Sequence, residues 1–126
     1  MRFESPTTDE WWRAYLDCRY RNLYEPFGLP RSVNTSALDE PRDRGEVMHG
    51  MIVEGDVVAA CGRLDFQPDH PAGPSSQLRY CAVDGPFRGK GAGQMLLARF
   101  EAESRARGLT RLWMEARVAA VNFYAR

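Results

Sequence analysis

Three glycines within five residues stand directly before the most helix-prone part of this chain. They lie in residues 88–93, RGKGAG, and the following QMLLARFEAESRARG consists mostly of strong helix formers. The preceding SQLRYCAV, residues 76–83, mixes aliphatic, aromatic and cysteine residues, as β-strands do. A strand, a glycine turn and a helix in direct succession constrain the fold more than any other feature of the sequence.

The same turn is suited to binding an anion. The first N–H groups of a helix have no intrahelical acceptor and point out of its N-terminus. Gly89, Gly91 and Gly93 permit positive φ and close approach to the backbone, and Arg88 and Lys90 add positive charge. A Walker loop and a dinucleotide fingerprint are excluded, because neither glycine spacing is present. We therefore predict a polyanion site, and a turn that serves packing alone is the alternative.

The rest of the pattern predicts one α/β or α+β domain over residues 1–126, with a central, mostly antiparallel sheet. The first half is predicted as a strand at 1–5, a helix at 8–24 capped by Thr7 or Thr8, a long loop at 25–45 and a hairpin at 46–66 that turns at Gly55 and Asp56. A strand at 76–83, a helix that begins after Gly93 and has Gly108 as its C-cap, a strand at 109–118 and a last helix follow. No repeat or low-complexity block interrupts this order.

Composition narrows the classes of function. The chain has 17 basic and 17 acidic residues, so it lacks the overall positive field typical of nucleic-acid binders. No apolar run approaches the roughly 20 residues of a membrane helix, and no signal peptide is evident. We expect a cytoplasmic protein with no membrane or nucleic-acid partner. The 3 cysteines are odd in number and widely spaced, which predicts free thiols and no metal site.

Residues 88–93 also fit Arg/Gln-x-x-Gly-x-Gly/Ala, the acetyl-CoA motif of the GNAT superfamily of acyl-CoA N-acyltransferases, which this chain resembles. The resemblance covers residues 78–126 as strand, pyrophosphate loop, helix, strand and final helix. Residues 19–31 and 49–64 are similar to a bacterial branch that is sometimes fused to a hotdog thioesterase. The resemblance implies a GNAT fold, acetyl-CoA as acyl donor, and a small-molecule or peptide amine as acceptor.

The resemblance also implies roles for individual residues. Main-chain groups of Cys81, Ala82 and Val83 would bind the pantetheine arm. The pyrophosphate would lie against Arg88, Gly89, Lys90, Gly91, Ala92 and Gly93. Phe123 and Tyr124 match the aromatic pair of the family's last helix, where the tyrosine protonates the departing CoA thiolate. Direct attack by an amine needs proton removal from nitrogen and proton delivery to sulfur, and a phenol with a pKa of about 10 suits the second task.

The general base is left open. The candidates on or beside predicted strands are His49, Asp65, Glu115 and a water bound by Arg79. His49 is alternatively a structural strand residue, and Glu115 stands where the related branch has Asn, which favours a surface carboxylate. Arg79 matches an arginine typical of that branch. It would either orient an acidic group of the substrate or form an internal ion pair.

A GNAT domain normally continues past this last helix with a Leu-Gly-Phe turn and two more strands, whereas the sequence ends at Arg126. We therefore expect an incomplete domain, either a fragment or one completed by a partner chain or a second copy. The alternative to an acetyltransferase is a noncatalytic acyl-CoA-binding or regulatory module. A third hypothesis, a nucleic-acid-binding patch, is opposed by Glu101 and Glu103 among its basic residues. Those basic residues are Arg88, Lys90, Arg99, Arg105 and Arg107.

Overall fold

The computed structural model describes residues 1–35, 39 and 45–114. The strands and α-helices of these residues are β1 (Arg2–Glu4), α1 (Asp9–Leu23), β2 (Val47–Glu54), β3 (Val57–Gln67), β4 (Ser75–Val83), α2 (Ala92–Ala106) and β5 (Arg111–Met114). Short 3-10 turns lie at Glu25–Phe27, Arg31–Val33 and Gly85–Phe87. The predicted mixed class with a central sheet is confirmed. The predicted strand at 109–118 is described only as far as Met114, and the last helix lies outside the described residues.

The five strands form one sheet in the order β1-β2-β3-β4-β5. The first three pairings are antiparallel, and β4 and β5 are parallel. A parallel pair needs a crossover connection, which α2 provides. The predicted hairpin occupies the middle of the sheet, and Gly55 enters its turn with a φ of 58°.

The two helices cover opposite faces of this sheet. On the α1 face, Tyr15 and Cys18 pack against Met51 and other odd-numbered positions of β2. On the α2 face, Phe100 packs in a cluster that includes Ile52. Successive strand residues point to opposite faces, so adjacent residues of β2 enter different cores. Neither α1 nor α2 has the length and apolar character of a membrane-spanning helix.

Local signals set the ends of both helices. The Thr8 hydroxyl accepts from the Trp11 N–H at 3.1 Å, which decides between the two predicted caps. At the end of α2, Gly108 adopts a φ of 73°, and the following N–H, that of Leu109, donates to the Ser104 carbonyl at 3.0 Å. These are the left-handed residue and the hydrogen bond of a glycine C-cap. The predicted stop at Gly108 is therefore confirmed.

Candidate active site

The glycine stretch forms the loop that leads from β4 into α2. It follows the 3-10 turn Gly85–Phe87. Gly89 and Gly91 have φ of 79° and 86°, in the left-handed region that glycine enters without steric cost. Gly93, by contrast, already lies inside the helix, so α2 begins earlier than the sequence predicts. The expected backbone freedom is thus used by two of the three glycines.

The N-terminus of α2 opens onto this loop. Gly91 is the N-cap and supplies no side-chain acceptor. The first amides of an α-helix also lack an intrahelical acceptor, and they form the positive end of the helix dipole. Arg88 and Lys90 are exposed beside them, and Arg88 Nε donates to the Val83 carbonyl at 3.3 Å. Backbone donors and two exposed cationic residues therefore lie in one short loop, and this combination fits a phosphate group.

The described ladder between β4 and β5 covers the first residues of β4. Their ladder runs from Ser75 opposite Arg111 to Leu78 opposite Met114, and β4 continues to Val83. Residues 79–83 of β4 lie beyond the last described pair of this ladder.

A β-bulge interrupts the pairing of β3 and β4. The β3–β4 register shifts between Cys61 and Arg63, and Tyr80 has a φ of 54°, the one positive φ of a non-glycine residue in the described part of the chain. Leu78 and Cys81 both pack on the α2 face although they are three residues apart. The bulge thus places an extra residue of β4 opposite β3 and changes which side chains face each helix.

Past the bulge, hydrogen bonding decides which main-chain groups of β4 point towards β3 and which point away from it. The Asp84 N–H donates to the Ala59 carbonyl at 2.8 Å, and Ala82 lies opposite Cys61. Antiparallel neighbours alternate between bonded and non-bonded pairs, so the groups of Ala82 point to β3. Those of Cys81 and Val83 point away from β3, and the Val83 carbonyl accepts from Arg88 Nε.

Helix α1 braces the start of the glycine loop. Arg21 donates from Nε and Nη2 to the two carboxylate oxygens of Asp84, both at 3.2 Å, and Asn22 donates to Oδ1 at 3.0 Å. Burial raises the pKa of Asp84, but the hydrogen bonds from Arg21 and Asn22 outweigh it and hold that pKa below its ordinary value. Sequence reasoning missed this brace, because nothing in the pattern relates α1 to the end of β4.

The family model described as the acetyltransferase (GNAT) family matches residues 7–126. The chain belongs to this family. A GNAT domain is thereby confirmed for the strand, glycine loop and helix on which the sequence resemblance depends.

Solved structures share the GNAT fold of this chain. An aminoglycoside 6′-N-acetyltransferase from Acinetobacter haemolyticus is 14% identical, with a TM-score of 0.78 over 99% of this chain and 86% of its own. A Clostridium acetobutylicum predicted acetyltransferase with acetyl-CoA is 15% identical, with a TM-score of 0.74 over 98% and 87%. The glucosamine-6-phosphate N-acetyltransferase of Arabidopsis thaliana is 15% identical, with a TM-score of 0.66 over 99% and 89%. At these identities the likeness shows the fold alone.

A buried polar network crosses the α1 face of this GNAT domain. Arg19 on α1 and Arg63 on β3 both donate to Asp39, each at 3.0 Å. Arg63 also binds both carboxylate oxygens of Asp65, at 2.7 and 3.0 Å. Arg79 on β4 donates from Nε to Asp65 at 2.9 Å. Arginines and aspartates therefore alternate from α1 to β4.

The sequence signal for this network is a charged residue at a position that the pattern assigns to the core. Arg19 follows Tyr15 by four residues on the buried stripe of α1, and it is fully buried. Arg63 and Asp65 alternate with the apolar Leu64 on β3, which places both on one face. Asp39 carries no such signal, because it lies in a stretch without helix or strand periodicity.

His49 lies within the same buried layer. Its Nδ1 is 2.8 Å from the Tyr15 hydroxyl, and its Nε2 is 3.2 Å from the Asp39 carbonyl. Because a carbonyl only accepts, the neutral ring carries its proton on Nε2 and accepts at Nδ1. Burial, and then the charge of Arg19, lower the pKa of His49 to about 4. A buried ring with both nitrogens engaged favours the structural interpretation over a general base.

Of the candidates Asp65, Glu115, Phe123 and Tyr124, the structure describes only Asp65. Asp65 is buried, and its oxygens accept from Arg63 and Arg79. This arrangement suits a residue that positions the two arginines. Phe123, Tyr124 and Glu115 lie outside the described residues.

No group of three or more His, Cys, Asp or Glu side chains suited to a metal occurs in residues 1–35, 39 and 45–114. The three cysteines are free and buried, and hydrogen bonding with Cys18 together with burial raises the pKa of the Cys61 thiol.

Proposed function

We propose that this chain transfers an acetyl group from acetyl-CoA to an amine. The observation that carries the proposal is the loop at the N-terminus of α2, where Gly89 and Gly91 adopt positive φ and are adjacent in sequence to Arg88 and Lys90. Such a loop fits the pyrophosphate of CoA, because backbone donors and the helix dipole both favour negative charge. The main chain of Cys81 and Val83 points away from β3, towards the side on which the resemblance places the pantetheine arm.

The transfer requires two proton movements. The amine nitrogen attacks the thioester carbonyl carbon, so a C–N bond forms and the C–S bond breaks. The nitrogen loses a proton to a base, and the sulfur gains one as CoA leaves. Tyr124 is the proposed donor to sulfur, and Phe123 beside it completes the CoA contact; both assignments rest on the sequence motif.

An amine acceptor is supported by what the structural neighbours act on. Two of them, by name, acetylate amino groups, one on aminoglycosides and one on glucosamine 6-phosphate. Their named acceptors share the amine and differ in charge, since one is polycationic and the other carries a phosphate. The fold therefore supports an amine as the reacting group. The rest of the acceptor would be selected by the side chains of this particular chain.

Binding and transfer are measured separately. We expect isothermal titration to show acetyl-CoA binding, and thiol release to accompany acetylation of at least one member of a panel of primary amines. The variant Tyr124→Phe should keep the acetyl-CoA affinity and lower kcat by about 10²–10⁴-fold, the usual contribution of a general acid. Tyr20→Phe is the matched control, because the Tyr20 hydroxyl donates to the Leu29 carbonyl in an exposed loop contact.

The outcomes separate the hypotheses. Binding without thiol release across the panel would support the noncatalytic acyl-CoA module. Absence of acetyl-CoA binding by the folded chain would reject both. An unchanged kcat in Tyr124→Phe would reject Tyr124 as the acid and leave acetyl transfer standing.

A further inference from the structure

A carboxylate lies directly before the glycine loop, where a polyanion site disfavours negative charge. Asp84 follows the last residue of β4 and precedes Arg88 by four residues. Its side chain is 15% exposed, so water and salt screen its charge only in part. A fixed negative charge this close in the chain weakens the binding of a phosphate by repulsion unless another group offsets it. The contacts of Asp84 show what offsets it here.

The side chain of Asp84 is held by the end of α1. Arg21, in the last turn of that helix, donates to both carboxylate oxygens at 3.2 Å each, and Asn22 donates to Oδ1 at 3.0 Å. Two parallel hydrogen bonds from one guanidinium fix the relative orientation of both planar groups. Asp84 therefore has its charge paired and its side chain fixed by a helix that lies 63 residues earlier in the chain.

The main chain of Asp84 connects this contact with the glycine loop. Its N–H donates to the Ala59 carbonyl on β3 at 2.8 Å, and its carbonyl accepts from the Phe87 N–H at 2.9 Å. The Phe87 carbonyl accepts in turn from the Lys90 N–H at 3.3 Å, one residue before the N-cap Gly91. Two consecutive hydrogen-bonded turns thus lead from Asp84 to the start of α2. A rotation of Asp84 would therefore move the amides at the start of that helix.

We propose that Asp84 is a positioning residue for the acyl donor: held by Arg21 and Asn22, it sets the orientation in which the glycine loop binds the pyrophosphate of CoA. This rests on the proposed acetyl-CoA site and extends it to α1, which the glycine motif does not include. The affinity for CoA then depends on residues outside the loop. The stability of the fold depends on them less, because the Arg21 side chain is 44% exposed and exposed ion pairs stabilise a fold only weakly.

Removing the negative charge tests this assignment, because positioning and charge have opposite effects on the binding of CoA. In Asp84→Asn the amide oxygen can still accept from Asn22, but the ion pair with Arg21 is lost. If Asp84 positions the loop, the dissociation constant of CoA in isothermal titration should rise by about 5–20-fold, within the usual range of coupling between two sites. If the carboxylate acts only through its charge, its removal should make the binding of CoA tighter.

Glu54→Gln is the matched control for the loss of charge. Glu54 ends β2, and its side chain is 57% exposed. The Met1 ammonium group, and more weakly the charges of Arg2 and Lys90, lower the pKa of Glu54, so this carboxylate lies within electrostatic range of the loop. The variant removes one negative charge near Lys90 and leaves the contact of Arg21 with Asp84 intact. Its affinity for CoA should be unchanged or slightly higher.

Arg21→Gln breaks the same contact from the side of α1. It should weaken the binding of CoA as Asp84→Asn does, whereas Arg13→Gln, which removes an exposed arginine from the same helix, should have no effect. Because the two single variants remove one shared contact, the double variant Arg21→Gln/Asp84→Asn should bind CoA no more weakly than either of them. In steady-state kinetics the loss should raise the KM of acetyl-CoA and leave kcat unchanged.

The other outcomes count against the assignment or separate it from the proposed function. Unchanged or tighter binding of CoA in Asp84→Asn would overturn the assignment. A lower melting temperature with an unchanged dissociation constant, in both Asp84→Asn and Arg21→Gln, would show that the contact serves only the fold. If both variants weaken the binding of CoA but no amine is acetylated, the positioning role is supported and the proposed transfer fails. If the folded chain does not bind CoA, both are rejected.

Discussion

At the scale of the residue, Gly91 shows why one position of the loop requires glycine. A Cβ added there would meet only Gln94 Oε1, at 3.9 Å, so space does not exclude a larger residue. The restriction is the φ of 86°, which a side chain disfavours. Gly91 is also the N-cap of α2, so a change of its φ would turn the first amides of the helix away from the loop. Backbone conformation and ligand geometry are therefore linked at this residue.

Replacing Gly91 by alanine should weaken acetyl-CoA binding by about tenfold and destabilise the fold by about 1–2 kcal/mol, because a left-handed alanine is strained. Isothermal titration and urea unfolding measure the two effects. Gly85→Ala is the control, since a Cβ at Gly85 meets nothing within 4 Å and its φ is not positive. Equal acetyl-CoA affinities for the two variants would show that the loop does not hold the donor.

At the scale of the element, α2 lies close to the sheet because β2 and β3 present glycines to it. Gly50 and Gly62 are direct partners in the β2–β3 register. A Cβ at Gly50 would lie 2.9 Å from Phe100 Cε1, and one at Gly62 would lie 3.1 Å from Phe100 Cε2. The phenyl ring of Phe100, which is fully buried, therefore packs onto bare backbone. The position of α2, and with it the donor loop, depends on this contact.

Gly62→Ala should lower the free energy of unfolding by about 1–3 kcal/mol, the usual cost of overpacking a core. The added methyl group would also lie 2.7 Å from Cys81 Sγ, so two neighbours would have to move. Urea denaturation followed by circular dichroism measures the change. Gly45→Ala, where a Cβ meets nothing within 4 Å, should be neutral. Similar stabilities for both variants would contradict the packing of Phe100 on Gly62.

At the scale of the whole molecule, the network on the α1 face connects α1, β2, β3 and β4 with Asp39. His49 is the group of this network that titrates near neutral pH in an unfolded chain. The charges around it are those of Arg19, Asp39 and Arg63, and the Tyr15 hydroxyl bonds its Nδ1. The stability of the fold therefore depends on keeping this ring neutral.

The free energy of unfolding should fall as the pH decreases from about 6.5 towards 4. His49 has a folded-state pKa of about 4, whereas an unfolded histidine titrates near pH 6.5. Between these values the unfolded chain binds more protons, so its contribution, at most about 3 kcal/mol, is complete above pH 6.5 and is lost on acidification. His49→Gln, which can still donate and accept, should flatten the dependence. His70→Gln, in the loop between β3 and β4, is the control, and equal slopes for both variants would contradict the assignment.

Much of the fold was predictable because its signals are local. Thr8, Gly55 and Gly108 each end or begin an element through contacts within a few residues, so the pattern around them suffices. The start of α2 was predicted too late because spacing alone does not show which glycines have positive φ. The donor loop was predictable as a motif. The brace of Arg21 on Asp84 was not, because it joins residues 63 apart in the chain.

The sequence by itself determined the order of elements, the glycine loop and the family, since each depends on adjacent residues. Only the tertiary structure decided that Arg79 pairs with the buried Asp65 and stays partly exposed. It also decided that His49 is enclosed by Tyr15 and Asp39. The physical reason is that burial and charge pairing depend on which strands and helices meet in space, and residue spacing along one element does not contain that information.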